Sequence, residues 1–208
     1  DKKITVVDML KGDVLMTFKR SQRIDAACFS PDDKLFAIGD YSKILTMISV
    51  GENNTWATLY NTNCGGPIFD AEFSTDGEMI ACAVRDNAVL VLDVATGGII
   101  RSIKDAQNRV AMCVGISPDS QYLSVGYDPS GVEIIDLHAT KSSRISYFPT
   151  DAAATEKKVS SLTISKCGRW LGVLVGKRTY SVYRVPDTTN ELPDCSSLDQ
   201  IETHAVFK

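Results

Sequence analysis

The chain repeats one alternating apolar pattern five times. Its clearest copy, VLVLDV, occupies residues 89–94, and the other copies begin at residues 4, 45, 132 and 180. Consecutive copies therefore lie 41, 44, 43 and 48 residues apart. Short runs of this kind, rich in β-branched residues, predict strands rather than helices. A period of this length indicates an array of similar structural units that bury apolar surface against one another.

A second pattern keeps the same spacing and marks turns. It reads FSPDD at residues 29–33, FSTDG at 73–77, ISPDS at 116–120 and ISKCG at 164–168. Because Ser, Pro, Asp and Gly set or tolerate turn dihedral angles, each copy is expected to close one strand and lead into the next. A further apolar run follows each turn, at residues 35–39, 79–84, 122–126 and 170–175.

Each period holds four predicted strands. In the second full repeat these are Ile68–Phe73, Met79–Val84, Val89–Val94 and Ile99–Ile103, with a Thr-Gly-Gly turn at 96–98 before the last strand. A four-stranded antiparallel sheet of about 42 residues cannot bury both of its faces alone, so neighbouring sheets must pack against it. Sheets that stack in this way around an axis form a β-propeller.

The repeats resemble the WD40 repeat in four features: the Phe-Ser-Pro-Asp turn, a second strand ending in Gly, a third strand closed by an apolar residue and Asp, and a Thr-Gly turn. The resemblance covers residues 1–186 and implies WD40-like blades. The chain departs from the family because no Gly-His dipeptide precedes a first strand and no copy keeps the signature Trp. The positions of that Trp hold Val7, Ile48, Leu92, Ile135 and Tyr183. In the family the His joins a hydrogen-bonded network, so we expect this chain to depend more on apolar packing than on buried polar networks.

We therefore predict an all-β fold, a WD40-like β-propeller with four full four-stranded blades and a half blade at the N-terminus. Residues 1–19 supply only the third and fourth strands of the half blade. The full blades are expected at about residues 20–63, 64–106, 107–149 and 150–186, and residues 187–208 are expected to form an acidic tail or the start of a next blade. Because an unclosed array would expose strand edges, we expect a longer intact protein with a seven-bladed ring.

Composition narrows the class of protein further. Hydrophobic residues make up 44% of the chain and charged residues 23%, which is typical of a globular core rather than of disorder. The net charge of −4 gives no overall attraction to nucleic acid or to a membrane surface, and no apolar run approaches the roughly 20 residues that span a bilayer. The six cysteines include no Cys-x-x-Cys pair, so we expect small buried side chains in a reducing compartment rather than disulfides or a zinc site.

The sequence lacks the motifs that usually accompany catalysis, metal binding or cofactor binding. It contains no Gly-x-Ser-x-Gly elbow, His-Glu-x-x-His pair, phosphate-binding Gly-rich loop or calcium loop. The two histidines, His138 and His204, are expected in an exposed turn and in the tail. Carboxylates such as Asp32, Asp76 and Asp119 fall in predicted turns, where Asp caps the local backbone more often than it acts as an acid or base. We expect no enzymatic activity, cofactor, metal or small-molecule substrate.

The last predicted blade is basic. Residues 157–184 contain seven Lys or Arg residues and no Asp or Glu, whereas residues 44–156 carry a net charge of −8. The predicted partner-binding residues are Lys157, Lys158, Arg169, Lys177, Arg178 and Arg184. Because clustered cations release counterions when they contact acidic groups, a protein partner is expected here, and RNA is the alternative. Two other interpretations stay open: lysines that protect strand edges from aggregation, and neutralisation by acidic residues of the tail.

Trp56 and Trp170 are the largest side chains of the chain. Packing in or near the core is favoured over a role as binding hot spots for both of them. Trp170 is expected between blades, and Trp56 is expected to be partly exposed because it follows a polar loop at residues 51–55.

These features favour a non-enzymatic scaffold for protein–protein interactions in a larger intracellular complex, cytoplasmic or nuclear. A stiff disk of stacked sheets presents loops on two faces, which suits the binding of several partners. Residues 143–149 and 158–171 also resemble the corresponding blade of the splicing-associated ubiquitin ligase scaffolds of the nineteen complex. That resemblance implies a substrate- or partner-binding propeller in pre-mRNA splicing. A propeller-based hydrolase, or a propeller accessory to one, is the alternative from the enzyme class.

Overall fold

The computed structural model describes residues 1–52, 55–86, 88–129, 131–138, 144–147, 158–176, 179–184 and 200–201. All secondary-structure elements in these ranges are β-strands. They are β1 (Lys3–Val7), β2 (Val14–Lys19), β3 (Ile24–Phe29), β4 (Leu35–Asp40), β5 (Ile44–Gly51), β6 (Thr55–Asn63), β7 (Ile68–Phe73), β8 (Met79–Val84), β9 (Ala88–Asp93), β10 (Ile99–Lys104), β11 (Val110–Ile116), β12 (Tyr122–Asp128), β13 (Val132–Asp136), β14 (Arg144–Tyr147), β15 (Val159–Ile164), β16 (Trp170–Val175), β17 (Thr179–Arg184) and β18 (Gln200–Ile201).

The strands form one two-stranded sheet and four four-stranded sheets. The half blade contains β1 and β2, blade 1 contains β3–β6, blade 2 contains β7–β10, blade 3 contains β11–β14, and blade 4 contains β15–β18. Within every sheet, each strand pairs antiparallel with the next strand along the chain. The predicted all-β architecture of four full blades and a half blade is confirmed, and the four strands of blade 2 lie within one residue of their predicted bounds.

Blade 4 takes its fourth strand from farther along the chain than the sequence suggests. Strand β18 pairs with β17, with Val182 opposite Ile201 and Tyr183 opposite Gln200. The structure therefore joins residues 200–201 to blade 4, whereas the sequence placed them in a tail or a next blade. Residues 185–199 separate the two strands. Hairpin loops are usually two to five residues long, so sequence spacing gave no signal for this pairing.

The first strand of each full blade lies on the inner side of the array. Strand β3 contacts β7, β7 contacts β11, and β11 contacts β15. The strand order within each sheet then places the fourth strands at the opposite, outer edge. Consecutive blades therefore meet along their first strands and diverge outwards, as the blades of a propeller do.

Apolar cores lie between consecutive blades. Each core takes side chains from both neighbours: Phe18 and Phe36 between the half blade and blade 1, Met47 and Ile80 between blades 1 and 2, Val91 and Leu123 between blades 2 and 3, and Ile134 and Leu171 between blades 3 and 4. Because a single sheet cannot hide both of its faces, this burial between sheets is the main stabilising interaction of the fold.

Two glycines permit the close approach of neighbouring blades. A Cβ atom at Gly39, near the end of β4, would lie 2.6 Å from Ile68 Cγ2 on the first strand of blade 2. A Cβ atom at Gly126 on β12 would lie 2.5 Å from Val159 Cγ1 on the first strand of blade 4. Optimal carbon–carbon contacts are about 3.5–4.0 Å. The Gly residues near the ends of these second strands therefore make room for the first strand of the following blade.

Blade 3 contains a buried ionic network that the sequence analysis did not expect. The guanidinium of Arg109 donates from Nη2 to Asp105 Oδ1 at 2.8 Å and to Glu133 Oε1 at 2.7 Å. The Tyr127 hydroxyl donates to Glu133 Oε2 at 3.1 Å, and its ring centroid lies 4.2 Å from Arg109 Cζ. All three charged side chains are at most 5% exposed. Blade 3 therefore has a buried polar network in addition to its apolar cores, and Arg109, which immediately precedes a first strand, organises it.

The two tryptophans differ in burial. Trp56 is partly buried, with ring centroids 5.7 Å from Phe18 and 6.1 Å from Phe36, so its predicted packing beside the core is confirmed. Trp170 is 37% exposed, so its predicted packing between blades is wrong. It is the first residue of β16 and follows directly on a turn, which leaves its side chain near the end of the blade.

The cysteines are free thiols in the described part of the chain, where Cys64, Cys82 and Cys113 are buried as predicted. Cys28 is partly buried, and burial raises the pKa of its thiol to about 12. Cys167 is exposed, which contradicts the prediction for that residue. Cys195 lies outside the described residues.

Candidate interaction surface

The turns between first and second strands and between third and fourth strands lie at the same end of every blade, because neighbouring strands are antiparallel. We call this end the turn face. Its described turns in the full blades include residues 30–34, 74–78, 93–98, 117–121 and 165–169. Turns of adjacent blades touch, since a Cβ atom at Gly77 would lie 3.8 Å from Pro31 Cδ. The turn face is therefore a continuous surface across the blades.

A Ser and an Asp hold the first turn of blades 1, 2 and 3 in the same way. A Ser hydroxyl donates to the Asp two residues later in the pairs Ser30 and Asp32, Ser74 and Asp76, and Ser117 and Asp119. The same Ser oxygen accepts from the N–H that opens the next strand, at 2.9 Å from Met79 N in blade 2. The Ser hydroxyls lower the pKa of Asp32 and of Asp76, so these carboxylates stay charged near neutral pH. Sequence predicted these turns.

Blade 4 carries Cys167 where the other three turns carry Asp. Ser165 Oγ lies 3.3 Å from Cys167 Sγ. Hydrogen bonds from Ser165 and then Arg169 lower the pKa of this thiol to about 7. A substantial thiolate fraction is therefore expected at neutral pH in an exposed position. The sequence does contain a signal for this exposed position of Cys167. The alignment of ISKCG with FSPDD places Cys167 in a turn rather than in a strand.

Charges of opposite sign are separated on the turn face. Blades 1–3 contribute Asp32, Asp33, Asp76, Glu78 and Asp119 from their first turns. The first turn of blade 4 contributes Lys166 and Arg169 and no carboxylate. Lys34 offsets part of the acidic charge and pairs with Asp32 at 3.5 Å. One surface therefore offers an acidic region over three blades and a basic region at the fourth.

Two of the six predicted basic residues, Lys158 and Arg169, have side chains in the described part of the chain. Lys158 and Arg169 are both exposed. Lys158 precedes β15, and its carbonyl oxygen accepts from Gly176 N at 2.7 Å, whereas Arg169 lies in the turn at the other end of that strand. The two cations therefore belong to opposite faces. Outside the described residues lie Lys157, Lys177, Arg178 and the side chain of Arg184.

His138 is exposed directly after β13, as the sequence predicted, and its N–H donates to Asp136 Oδ1 at 2.8 Å. His204 lies outside the described residues. In the ranges that the structure describes, no three His, Cys, Asp or Glu side chains converge to hold a metal ion. Those ranges also contain no helix that could span a membrane.

Residues 27–117 match the family model of the anaphase-promoting complex subunit 4 WD40 domain. The chain is 26% identical over 133 residues to apoptotic protease-activating factor 1 of Danio rerio, which covers 60% of this chain and 10% of that protein. It is 27% identical over 112 residues to the WD repeat-containing protein 55 homolog of Aedes aegypti, covering 53% of this chain and 23% of that protein. The chain thus spans less than a quarter of the length of either relative.

Solved propeller structures have the same arrangement of strands. The Cps50 (Swd1) β-propeller domain of Myceliophteria thermophila superposes with a TM-score of 0.79 at 13% identity, covering 96% of this chain and 64% of that one. The chain is a divergent WD40-repeat β-propeller. A putative 6-phosphogluconolactonase from Bacteroides uniformis also superposes on this WD40 propeller, with a TM-score of 0.76 at 17% identity, covering 97% of this chain and 64% of that one. At these identities the two structures show the fold alone.

WD40 propellers generally act as scaffolds for protein interactions, so this propeller falls in a class that usually binds proteins. The relatives do not determine its subfamily. The resemblance of residues 143–149 and 158–171 to the nineteen-complex scaffolds therefore stays a prediction.

Two carboxylates on β7 link the inner strands of blades 2 and 3 of the propeller. Asp70 Oδ2 accepts from Val114 N on β11 at 3.0 Å, and Glu72 accepts from the main chain of Ile116. Burial raises the pKa of Asp70. Burial, followed by repulsion from Asp70, raises the pKa of Glu72 to about 7, although the bond from Ile116 opposes this rise.

We expect Glu72→Gln to stabilise the propeller by about 2 kcal/mol at about pH 8 and to have no such effect below about pH 4. Glu72 holds its proton up to about pH 7 in the folded protein and releases it near 4.5 when unfolded. Folding therefore binds a proton in this window, so stability falls as pH rises through it. Gln keeps an acceptor for Ile116 without the charge. Residual solvent contact of Glu72 reduces the gain below the full shift.

Urea unfolding at a series of pH values measures this gain. Glu78→Gln is the matched control because Glu78 is an exposed carboxylate of the same blade, and its stability curve should follow that of the wild type. A gain for Glu72→Gln that does not depend on pH would contradict the assignment.

Proposed function

We propose that this WD40 propeller is a non-enzymatic platform that holds protein partners in fixed relation within an intracellular multiprotein complex. The separation of charge on the turn face carries the proposal. Acidic groups of blades 1–3 and the cations Lys166 and Arg169 of blade 4 lie on turns that internal hydrogen bonds hold in place. Charges arranged in this way select partners of complementary pattern and speed their association.

Hydrogen bonds between blades support this role because they fix the turns relative to one another. The Tyr60 hydroxyl on β6 donates to Val94 O in the next blade at 2.6 Å. Arg101 on β10 of blade 2 donates from Nη1 to Asp136 O at 2.9 Å and to Leu137 O at 2.8 Å in blade 3. In both places a fourth strand binds the end of the third strand in the following blade. A surface braced in this way needs little reorganisation on binding.

A propeller-based hydrolase is the competing function. The similarity to the putative lactonase concerns the fold alone. The turn carboxylates Asp32 and Asp76 accept from Ser hydroxyls and from main-chain N–H groups, which lower the pKa of each. A general acid or base works best with a pKa near the operating pH, so these groups favour a structural role over a catalytic one.

Cross-linking and mass spectrometry of the natural full-length protein, purified from its own cells, test the proposal. Partner proteins are expected at fixed stoichiometry, with cross-links that include Lys34 and Lys166. Arg169→Glu should reduce recovery of at least one partner by about fivefold or more. Lys158→Glu is the matched control, since it reverses an exposed charge of the same blade on the opposite face. Protein that carries no partner, and that hydrolyses a lactone or ester, would contradict the proposal.

A further inference from the structure

Blades 1 and 2 form a groove of about 780 Å³ on the turn face, which we call the rim groove. Leu59 and Tyr60 of the outer strand β6 form one wall. Asp93 and Val94, at the end of the third strand of blade 2, form the other. Leu35 of blade 1 and Glu78 of blade 2 also line the groove. The groove therefore runs between two blades at the outer edge of the propeller.

Hydrogen bonds hold both walls of the rim groove in place. The Tyr60 hydroxyl donates to Val94 O at 2.6 Å, and Thr62 Oγ1 donates to Gly97 O at 2.8 Å. The ring of Tyr60 also packs on the turn of blade 2, since a Cβ atom at Gly97 would lie 2.6 Å from Tyr60 Cε2. The groove is preformed, so an occupant would lose little binding free energy to rearrangement of the protein.

The rim groove offers an apolar contact. Leu59 is 54% exposed on its wall. Leu35 is partly exposed and packs against the core between blades 1 and 2. Apolar side chains in a concave site bind an apolar group of an occupant and fix its position.

The described charges of the rim groove are negative. Among the residues that the structure describes, Glu78 and Asp93 are its charged lining residues, and no Lys or Arg of that part of the chain lines it. Asp93 accepts from the Thr96 hydroxyl at 2.6 Å and from Thr96 N at 2.8 Å, and these bonds lower the pKa of Asp93. Its carboxylate therefore stays ionised. An anionic ligand such as an RNA backbone is repelled here, and a cationic one is attracted.

We propose that the rim groove binds an extended protein segment in which an apolar side chain lies between Lys or Arg residues. The apolar side chain packs on Leu59 and Leu35, and the flanking cations face Glu78 and Asp93. This inference rests on the proposed function, because it names the chemistry of one partner segment of the platform.

Fluorescence anisotropy with labelled octapeptides tests the site on the full chain. The probes carry Leu, Ile or Phe between two pairs of Lys or Arg, and the matched probes replace either the cations by Glu or the apolar residue by Ser. Both replacements should weaken binding about tenfold or more. In the protein, the substitutions Glu78→Lys and Leu59→Ser should each weaken binding of the cationic probes about tenfold or more. The controls Glu52→Lys and Ile100→Ser change an exposed acid on the turn face and an exposed apolar residue of blade 2 outside the lining, and they should bind within about twofold of wild type.

Three results would overturn the inference. One is equal binding of the Glu-substituted and cationic probes. Another is unchanged binding by both Glu78→Lys and Leu59→Ser. The third is a dimer in sedimentation equilibrium that Leu59→Ser dissociates, since the occupant would then be a second copy of the chain. If Glu78→Lys and Leu59→Ser still recover the natural partners in the purification described above, the groove assignment fails and the proposed function stands. If no partner is recovered on any variant or on the wild type, the proposed function fails.

Discussion

Replacing Arg109 with Met should lower the free energy of unfolding by about 4 kcal/mol. Arg109 forms ion pairs with two buried carboxylates, Asp105 and Glu133. Its removal takes the guanidinium charge away from both carboxylates, which lie in an environment of low polarity. The loss of a buried partner costs far more than the loss of an exposed ion pair, which contributes at most about 1 kcal/mol.

A pH series separates this electrostatic loss from lost packing. Desolvation opposes ionisation of Asp105, yet the hydrogen bonds and positive charge of Arg109 lower its pKa overall. A carboxylate with a lowered pKa contributes stability above its unfolded pKa, and that contribution disappears as pH falls through the folded pKa. Wild type should therefore lose stability on acidification, and Arg109→Met should lose less over the same range because its penalty is relieved when the carboxylates are protonated.

Urea unfolding of three variants measures the effect. Arg85→Met removes an exposed Arg at the same end of the neighbouring blade and should change stability by less than about 0.5 kcal/mol. The triple variant Arg109→Met, Asp105→Asn, Glu133→Gln removes the buried charges and should recover at least half of the loss. An Arg109→Met variant as stable as Arg85→Met would show that the network contributes nothing.

Sequence predicts those parts of the propeller whose causes are local. The turn at residues 73–77 could be predicted from the sequence because the Ser74 hydroxyl forms hydrogen bonds with Asp76 and with Met79 N, both within five residues of Ser74. The strand at residues 89–94 followed from alternation alone, and Asp93 closes it by accepting from Thr96, three residues on. Repetition then fixed the architecture, since each sheet needs a neighbour to bury its faces.

The buried network of blade 3 was missed because no local pattern marks it. Asp105 and Arg109 precede β11, Tyr127 lies on β12, and Glu133 lies on β13. Their contacts depend on the antiparallel register in which Gly126 faces Val132 and Val125 faces Glu133. The rim groove was missed for a similar reason, because its walls come from different blades and exist only after they pack.

For the basic sector, the composition can be read from the sequence, and strand geometry adds the positions of its two described cations. Lys158 and Arg169 are close in sequence, and both are exposed. The six-residue strand β15 runs between them, and a strand rises about 3.3 Å per residue. The predicted strand therefore already implied that the two cations lie at opposite ends of the blade.

Replacing Gly126 with Val should lower the free energy of unfolding by about 3 kcal/mol. Gly126 lies within β12, the second strand of blade 3, and in a strand local preference favours Val over Gly by up to about 1 kcal/mol. Its φ is outside the left-handed region, so the backbone accepts a side chain. The packed neighbours oppose the added side chain, since its Cβ atom would lie 2.5 Å from Val159 Cγ1 and 2.6 Å from Cys113 Sγ. The steric term is larger, because the first strands of blades 3 and 4 must separate to accept the group.

Urea unfolding should show wild type as the most stable protein, Gly126→Ala as less stable and Gly126→Val as the least stable. This order is the reverse of strand propensity. Val159→Ala on its own should cost about 1–2 kcal/mol through lost burial. Combined with Gly126→Val it should cost clearly less than the sum of the two single changes, because the shortened side chain leaves room for the added one. Ala83 occupies the equivalent position of blade 2, so one methyl group is already accepted between blades 2 and 3. A Gly126→Val variant more stable than wild type, or strict additivity with Val159→Ala, would mean that local strand preference rather than contact between blades determines the residue at this position.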